Sequence, residues 1–180
     1  LPKVKTLSPP GEKYAYSNLG GGLLGVVLAR ATGQPYGELL RKRILDPLEL
    51  RDTRMALDDG QRARLAPPYD ADRRPASEWH FDVLAPAGAL RSSADDLLRF
   101  ARAVLHPPKS ELGDALRKSR EELFVSADGK INIAFGWHKF PNESVISHDG
   151  RTLGYAASLT LDLEHNEALV FLTNSPGREV

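Results

Sequence analysis

Tyr16-Ser17-Asn18 and His148-Asp149-Gly150 are the two segments whose residue types and placement lend themselves to chemistry. The first falls at the mouth of an expected helix, the second at the end of an expected strand. Each also has an ordinary structural reading: Tyr16 and Asn18 as a helix cap, His148 as a half-buried strand residue, and Arg151 as a solvated turn residue. Ser147-His148-Asp149 invites comparison with a hydrolytic triad, but strand neighbours point to opposite faces, so three consecutive side chains cannot relay a proton. No G-x-S-x-G elbow occurs in the chain.

Other motifs carry less. Gly20-Gly21-Gly22-Leu23-Leu24-Gly25 fits G-x-G-x-x-G, yet that fingerprint needs a buried strand before it and a parallel strand after the helix. Tyr14 to Leu19 is short and polar and no second parallel strand follows, so small residues for close helix packing explain the glycines better. The histidines, His80, His106, His138, His148 and His165, show no i, i+4 pair of the kind a helical zinc site uses, and neither a metal nor a cofactor is expected. Asn142-Glu143-Ser144 is a glycosylation sequon, a triplet common enough by chance to carry no weight.

These residues must be positioned by an α+β fold. Leu23, Leu24, Val27, Leu28 and Ala31 recur at helical spacing, with Ser17 or Asn18 as the N-terminal cap and Gly33 as the C-terminal one. Pro35 suits a first helical position, with Tyr36, Leu39, Leu40 and Ile44 on one face before Asp46-Pro47. Residues 51 to 90, punctuated by Pro67-Pro68, Pro75 and Pro86, are an irregular stretch. Ser93-Ala94-Asp95-Asp96 begins a helix whose buried face is Leu97, Leu98, Ala101, Val104 and Leu105; Leu112, Leu116 and Leu123 suggest another. The period then changes to two. Ile131 to Trp137 and Leu153 to Leu163 alternate, and Ala168 to Thr173 reads as a buried strand. Consecutive strands with short links predict an antiparallel sheet at residues 126–180, after a mostly helical part at 1–125.

Composition narrows the partners. Lys+Arg and Asp+Glu both number 24 in 180 residues, so the balance gives no reason to expect nucleic acid or an anionic membrane. No apolar run approaches the ~20 residues of a transmembrane helix. The absence of cysteine excludes disulfides and thiol catalysis. Both ends are expected to be cuts within a longer protein: Leu1 is not a methionine, and the chain stops just after a strand-like run.

Taken in order, Pro10-Gly11, Tyr14-Ala15-Tyr16-Ser17-Asn18, Leu23-Leu24-Gly25, Thr32-Gly33, Tyr36, Pro47-Leu48, Ala87-Gly88-Ala89-Leu90, Ser92-Ser93-Ala94-Asp95-Asp96-Leu97, His148-Asp149-Gly150 and Gly154-Tyr155 resemble the penicillin-binding-protein and class C β-lactamase superfamily. The resemblance spans nearly the whole chain. It implies an antiparallel sheet flanked by helices plus a mostly helical lobe, incomplete at both ends, with Tyr16 and His148 facing one cleft. It also implies three catalytic motifs: Ser-x-x-Lys with the nucleophile, Tyr-x-Asn matched by Tyr16 and Asn18, and Lys-Thr-Gly or His-x-Gly matched by His148 and Gly150. No serine here has a lysine three residues later, and in such proteins that motif precedes Tyr-x-Asn. Gly20-Gly21-Gly22, Glu49-Leu50 and Asp149 stand where relatives often carry other residues.

The chemistry the resemblance implies is acyl transfer. A serine hydroxyl is a poor nucleophile until a base takes its proton. Tyr16 serves as that base only as a phenolate; an unperturbed phenol titrates near ~10, so a nearby cation, chiefly the motif lysine, must lower it. His148 adds a donor or partial charge, and Asn18 offers its amide to the acyl side chain. The backbone N–H of Arg151 joins the nucleophile's own N–H as an oxyanion hole, and Gly150 lets substrate approach the strand edge. The expected reaction of the complete protein is hydrolysis of a small ester, amide or β-lactam through an acyl-serine, with the chain by itself inactive and prone to self-association through an exposed sheet edge. The rival expectation is a non-catalytic member whose cleft binds a peptide or lipid or supports assembly. A periplasmic or secreted location follows only from the resemblance.

Overall fold

Helices come first and strands last in the computed structural model, which describes residues 5–6, 8–140 and 143–177. The sequon's Asn142, the first four residues and the last three lie outside the described residues. The helices are α1 (Asn18–Thr32), α2 (Tyr36–Leu40), α3 (Asp59–Ala63), α4 (Ala94–Leu105) and α5 (Glu111–Ser119). A π-helical turn (Arg41–Leu45) continues α2, and a 3-10 helix (Asp82–Ala87) precedes α4. The strands are β1 (Glu122–Val125), β2 (Asn132–Ala134), β3 (His138–Lys139), β4 (Val145–Arg151), β5 (Ala156–Asp162) and β6 (Glu167–Thr173). They form one six-stranded sheet in chain order, antiparallel throughout.

Local chemistry sets the ends of α1. The Ser17 hydroxyl, not Asn18, accepts from the Gly20 N–H, and Gly33 closes the helix in the left-handed conformation at φ 65°. The glycines pack one helix closely on another, as their composition suggested. A Cβ at Gly25 would lie 2.0 Å from the Pro86 ring, and one at Gly22 would lie 2.8 Å from Leu84. The glycine face is therefore the buried side of α1, while Leu23, Leu24, Val27 and Leu28 are exposed.

The core lies between α4, α5 and one face of the sheet. Ala101, Val104 and Leu116 meet Ile146, Leu159 and Leu161, with Trp137 stacked on Phe100 at 6.4 Å. Alternation places Ile146 and Leu161 opposite each other across β4 and β5, both fully buried. Four expectations change. Leu98 is exposed rather than part of the buried face of α4. Leu123 belongs to β1, because α5 stops at Ser119. The alternation from Ile131 to Trp137 is not one strand: Gly136, at φ 83°, turns the chain between β2 and β3. Finally, β6 pairs only with β5 among the described residues, and most of its side chains are exposed rather than buried.

The irregular stretch is fastened to both halves. Asp96, buried in the first turn of α4, accepts from the Asp52 N–H and the Thr53 hydroxyl, each at 2.8 Å. Near the exit of β6, Asn174 and Ser175 donate to the carbonyls of Pro67 and Asp70. Asp96→Ala leaves the part-buried Asp52 N–H and the buried Thr53 hydroxyl without this acceptor. It should cost about 2–4 kcal/mol in urea unfolding, and Asp96→Asn, which keeps an acceptor oxygen, should cost less. Equal stability of the alanine variant and the parent chain would overturn this.

Candidate active site

The segment Lys13–Ser17 leads into α1 without regular structure and lays two rings along the sheet. Tyr14 stacks on Phe124 of β1, centroids 6.4 Å apart, and meets His138 of β3 edge-on at 6.2 Å. Tyr16 lies 6.3 Å from the ring of His148 on β4. The two imidazoles are 5.9 Å apart. Phe124, Tyr14, His138, His148 and Tyr16 therefore form a continuous line of rings drawn from β1, β3, β4 and the segment ahead of α1.

Topology explains why this line ends where it does. β3 is only two residues long and pairs with β4 only at Ile146 and Ser147. From His148 to Arg151 no strand covers that edge of β4 among the described residues, and Tyr16 stands there instead. Gly150 opens onto free space: a Cβ built on it meets nothing within 4 Å. Arg151 closes β4 opposite Ala156. Asn18 is the first residue of α1, exposed, and its amide makes no hydrogen bond to a described residue. Tyr16 is 59% exposed, so it is not a core residue.

Burial pushes the His148 imidazole below the usual histidine range. The charge of His138 adds to that effect, and the Asp149 carboxylate opposes it. The Tyr14 phenol moves up, first through burial and then through Tyr16.

The structure brings Tyr16 and His148 together and puts Asn18 two residues beyond Tyr16 at the start of the helix. Two concavities lie elsewhere. One, of about 580 Å³, lies between the 51–93 stretch and β5–β6, lined by Trp79, Phe81, Tyr155 and the Arg91–Glu78 ion pair at 2.7 Å. The other, about 780 Å³, lies beside Arg73 and Phe171. Neither of these two is lined by Tyr16, Asn18 or His148. No cluster of three or more metal-ligating side chains occurs among the described residues. Sequence reasoning passed over Tyr14 and His138. The only signal was the i, i+2 spacing of the two tyrosines, which the histidines match only once β3 and β4 are paired.

The model of the family described as Beta-lactamase matches residues 2–180. The chain belongs to this family. With that membership comes the serine-hydrolase superfamily expected from the motifs. Among curated beta-lactamase relatives, a beta-lactamase of Pseudomonas fluorescens is 28% identical over 134 residues, covering 73% of this chain and 37% of its own length. A penicillin-binding protein of Bacillus subtilis is 25% identical over 193 residues, covering 92% of this chain and 40% of its own. The chain thus spans less than half the length of either. The fold is that of a solved beta-lactamase/D-alanine carboxypeptidase of Pseudomonas syringae, with a TM-score of 0.89 at 21% identity over 97% of this chain and 58% of that one. No helix among the described residues is long and apolar enough to cross a membrane.

Proposed function

We propose that the whole protein is a serine acyl-hydrolase in which this chain supplies the proton-transfer and acyl-binding half of the site. The observation that carries the proposal is the Tyr16–His148 pair, set ring to ring on the uncovered edge of β4. In this reading the nucleophile and its lysine come from a Ser-x-x-Lys segment outside these residues. Tyr16, as phenolate beside that lysine, takes the serine proton and later returns it to the leaving group. His148, its pKa pushed down by burial and then by the charge of His138, offers one N–H and one lone pair to this exchange when uncharged. Asn18, whose amide has no partner among the described residues, binds the carbonyl or N–H of the acyl side chain. Substrate lies antiparallel along β4 at Gly150, its carbonyl oxygen held by the Arg151 N–H and the nucleophile's own N–H.

The substrate classes are β-lactams, D-alanyl peptides and small esters. The first two follow the names of the relatives, and the third follows the acyl-serine chemistry that all three share. Steady-state hydrolysis by the whole protein of a chromogenic cephalosporin, a peptide ending in D-alanyl-D-alanine and a nitrophenyl ester tests this. Turnover of at least one, abolished by His148→Ala together with Tyr16→Phe, is the expected result. A whole protein that holds these ligands without turning any over would favour the non-catalytic binding module.

A further inference from the structure

We propose that His138 is a positioning residue of this site, bracing the His148 ring from the neighbouring strand and, through Tyr14, fixing the segment that carries Tyr16. The inference rests on the reading of Tyr16 and His148 given above.

The geometry is the argument. His138 is the middle ring of the line, 5.9 Å from His148 and 6.2 Å from Tyr14. It therefore touches both parts of the chain that must stay in register: β4, which carries His148, and the segment that carries Tyr16. Tyr16 is exposed and its hydroxyl makes no hydrogen bond to a described residue, so it has no polar tether of its own. Its place depends on the Ser17 cap behind it and on Tyr14 in front. Tyr14 is in turn pinned between Phe124 and His138. Tyr14 stacks on Phe124 and meets His138 edge-on, and such ring pairs are directional, so this part of the line sets angle as well as distance.

His138 has a second route to the site. Two imidazolium charges this close disfavour each other, so a charge on His138 opposes one on His148. The other groups facing His148 are Tyr16 and, on its own strand, Asp149, which favours the charged ring. From β5 it meets its register partner Leu159, which is apolar. His138 itself faces Tyr14, with Ile133 and Ser147 as its strand partners. No other ionisable group has a ring contact or ion pair with either imidazole among the described residues.

Two variants of the whole protein separate the routes. His138→Phe keeps a ring between Tyr14 and His148 and removes the charge; His138→Ala removes both. NMR titration of histidine-labelled protein, with the His148 signal assigned by its loss in His148→Gln, should show the His148 midpoint moving to higher pH in both variants. The acid limb of kcat/KM should move the same way, since the uncharged ring is then lost at a higher pH. Near neutrality His138→Ala should lower kcat/KM by roughly 10- to 100-fold, the scale produced by misplacing a reacting group by ~1 Å. His138→Phe should recover most of that loss. A His148 midpoint unmoved in both variants would overturn the proposal, as would equal activity losses in the two. Normal turnover by His148→Ala would instead sink the functional reading, leaving the titration to decide the contact between the imidazoles.

Discussion

Tyr16→Phe in the whole protein should lower kcat/KM by about 10²–10⁴-fold, the range general-base contributions span, while thermal unfolding stays where it was. The two halves have separate causes. Tyr16 is exposed and its hydroxyl makes no hydrogen bond to a described residue, so deleting that oxygen removes no stabilising contact. The ring survives, and with it the packing on His148 at 6.3 Å. What disappears is the hydroxyl that the proposed function assigns to the general base. Stopped-flow acylation with a chromogenic β-lactam or ester, alongside calorimetry, reads both halves. Unchanged turnover would move the base role to another residue.

The second large effect is a complete loss. The 180-residue chain by itself should form no acyl-enzyme with a penicillin or a fluorophosphonate, because none of its serines has a lysine three residues on. Of the serines beside the candidate residues, Ser147 is buried, and Ser17, between Tyr16 and Asn18, caps α1 with its hydroxyl. The same isolated chain should associate. The outer edge of β6 is unpaired among the described residues, Leu169 and Phe171 on it are 68% and 56% exposed, and α1 shows Leu24 and Val27 to solvent. An open edge beside apolar side chains recruits another chain. Intact-mass measurement checks the first expectation and light scattering over a concentration series the second. A stoichiometric adduct on any serine would show the nucleophile to be misplaced, and a stable monomer would show these residues to be self-sufficient.

What was legible in the sequence was what local chemistry decides. Helix ends are marked through hydrogen bonds and backbone conformations that involve only neighbouring residues: Gly33 and Ser93 hold as expected, and of the two caps open at the start of α1 the structure takes Ser17. The antiparallel sheet was legible because period-two alternation fixes which side chains face the core. Errors arose where a pattern crossed a boundary that its own residues do not announce. Leu112, Leu116 and Leu123 keep helical spacing although α5 ends at Ser119, and Ile131 to Trp137 keep strand spacing across the turn at Gly136. The candidate site was legible only through motif resemblance, which singled out Tyr16 and His148 together. His138 stayed hidden for a physical reason. Its meeting with His148 depends on how β3 pairs with β4, and a two-residue strand has too little pattern of its own to specify a register.

A sheet whose strands pair in chain order has a bearing on how the molecule assembles. Every contact between strands closes a short loop, so little chain entropy is lost in bringing successive strands together, and a meander of this kind can zip up from any of its hairpins. The fastenings at the far side are of another sort. Asn174 reaches Pro67, and Ser175 reaches Asp70, across separations of 107 and 105 residues. Those bonds join the irregular stretch to the end of a strand that must already have a place in the sheet. On this loop-closure argument the sheet with α4 and α5 is expected to form first and the 51–93 stretch to dock on it afterwards, an order that a hydrogen-exchange time course during refolding would read.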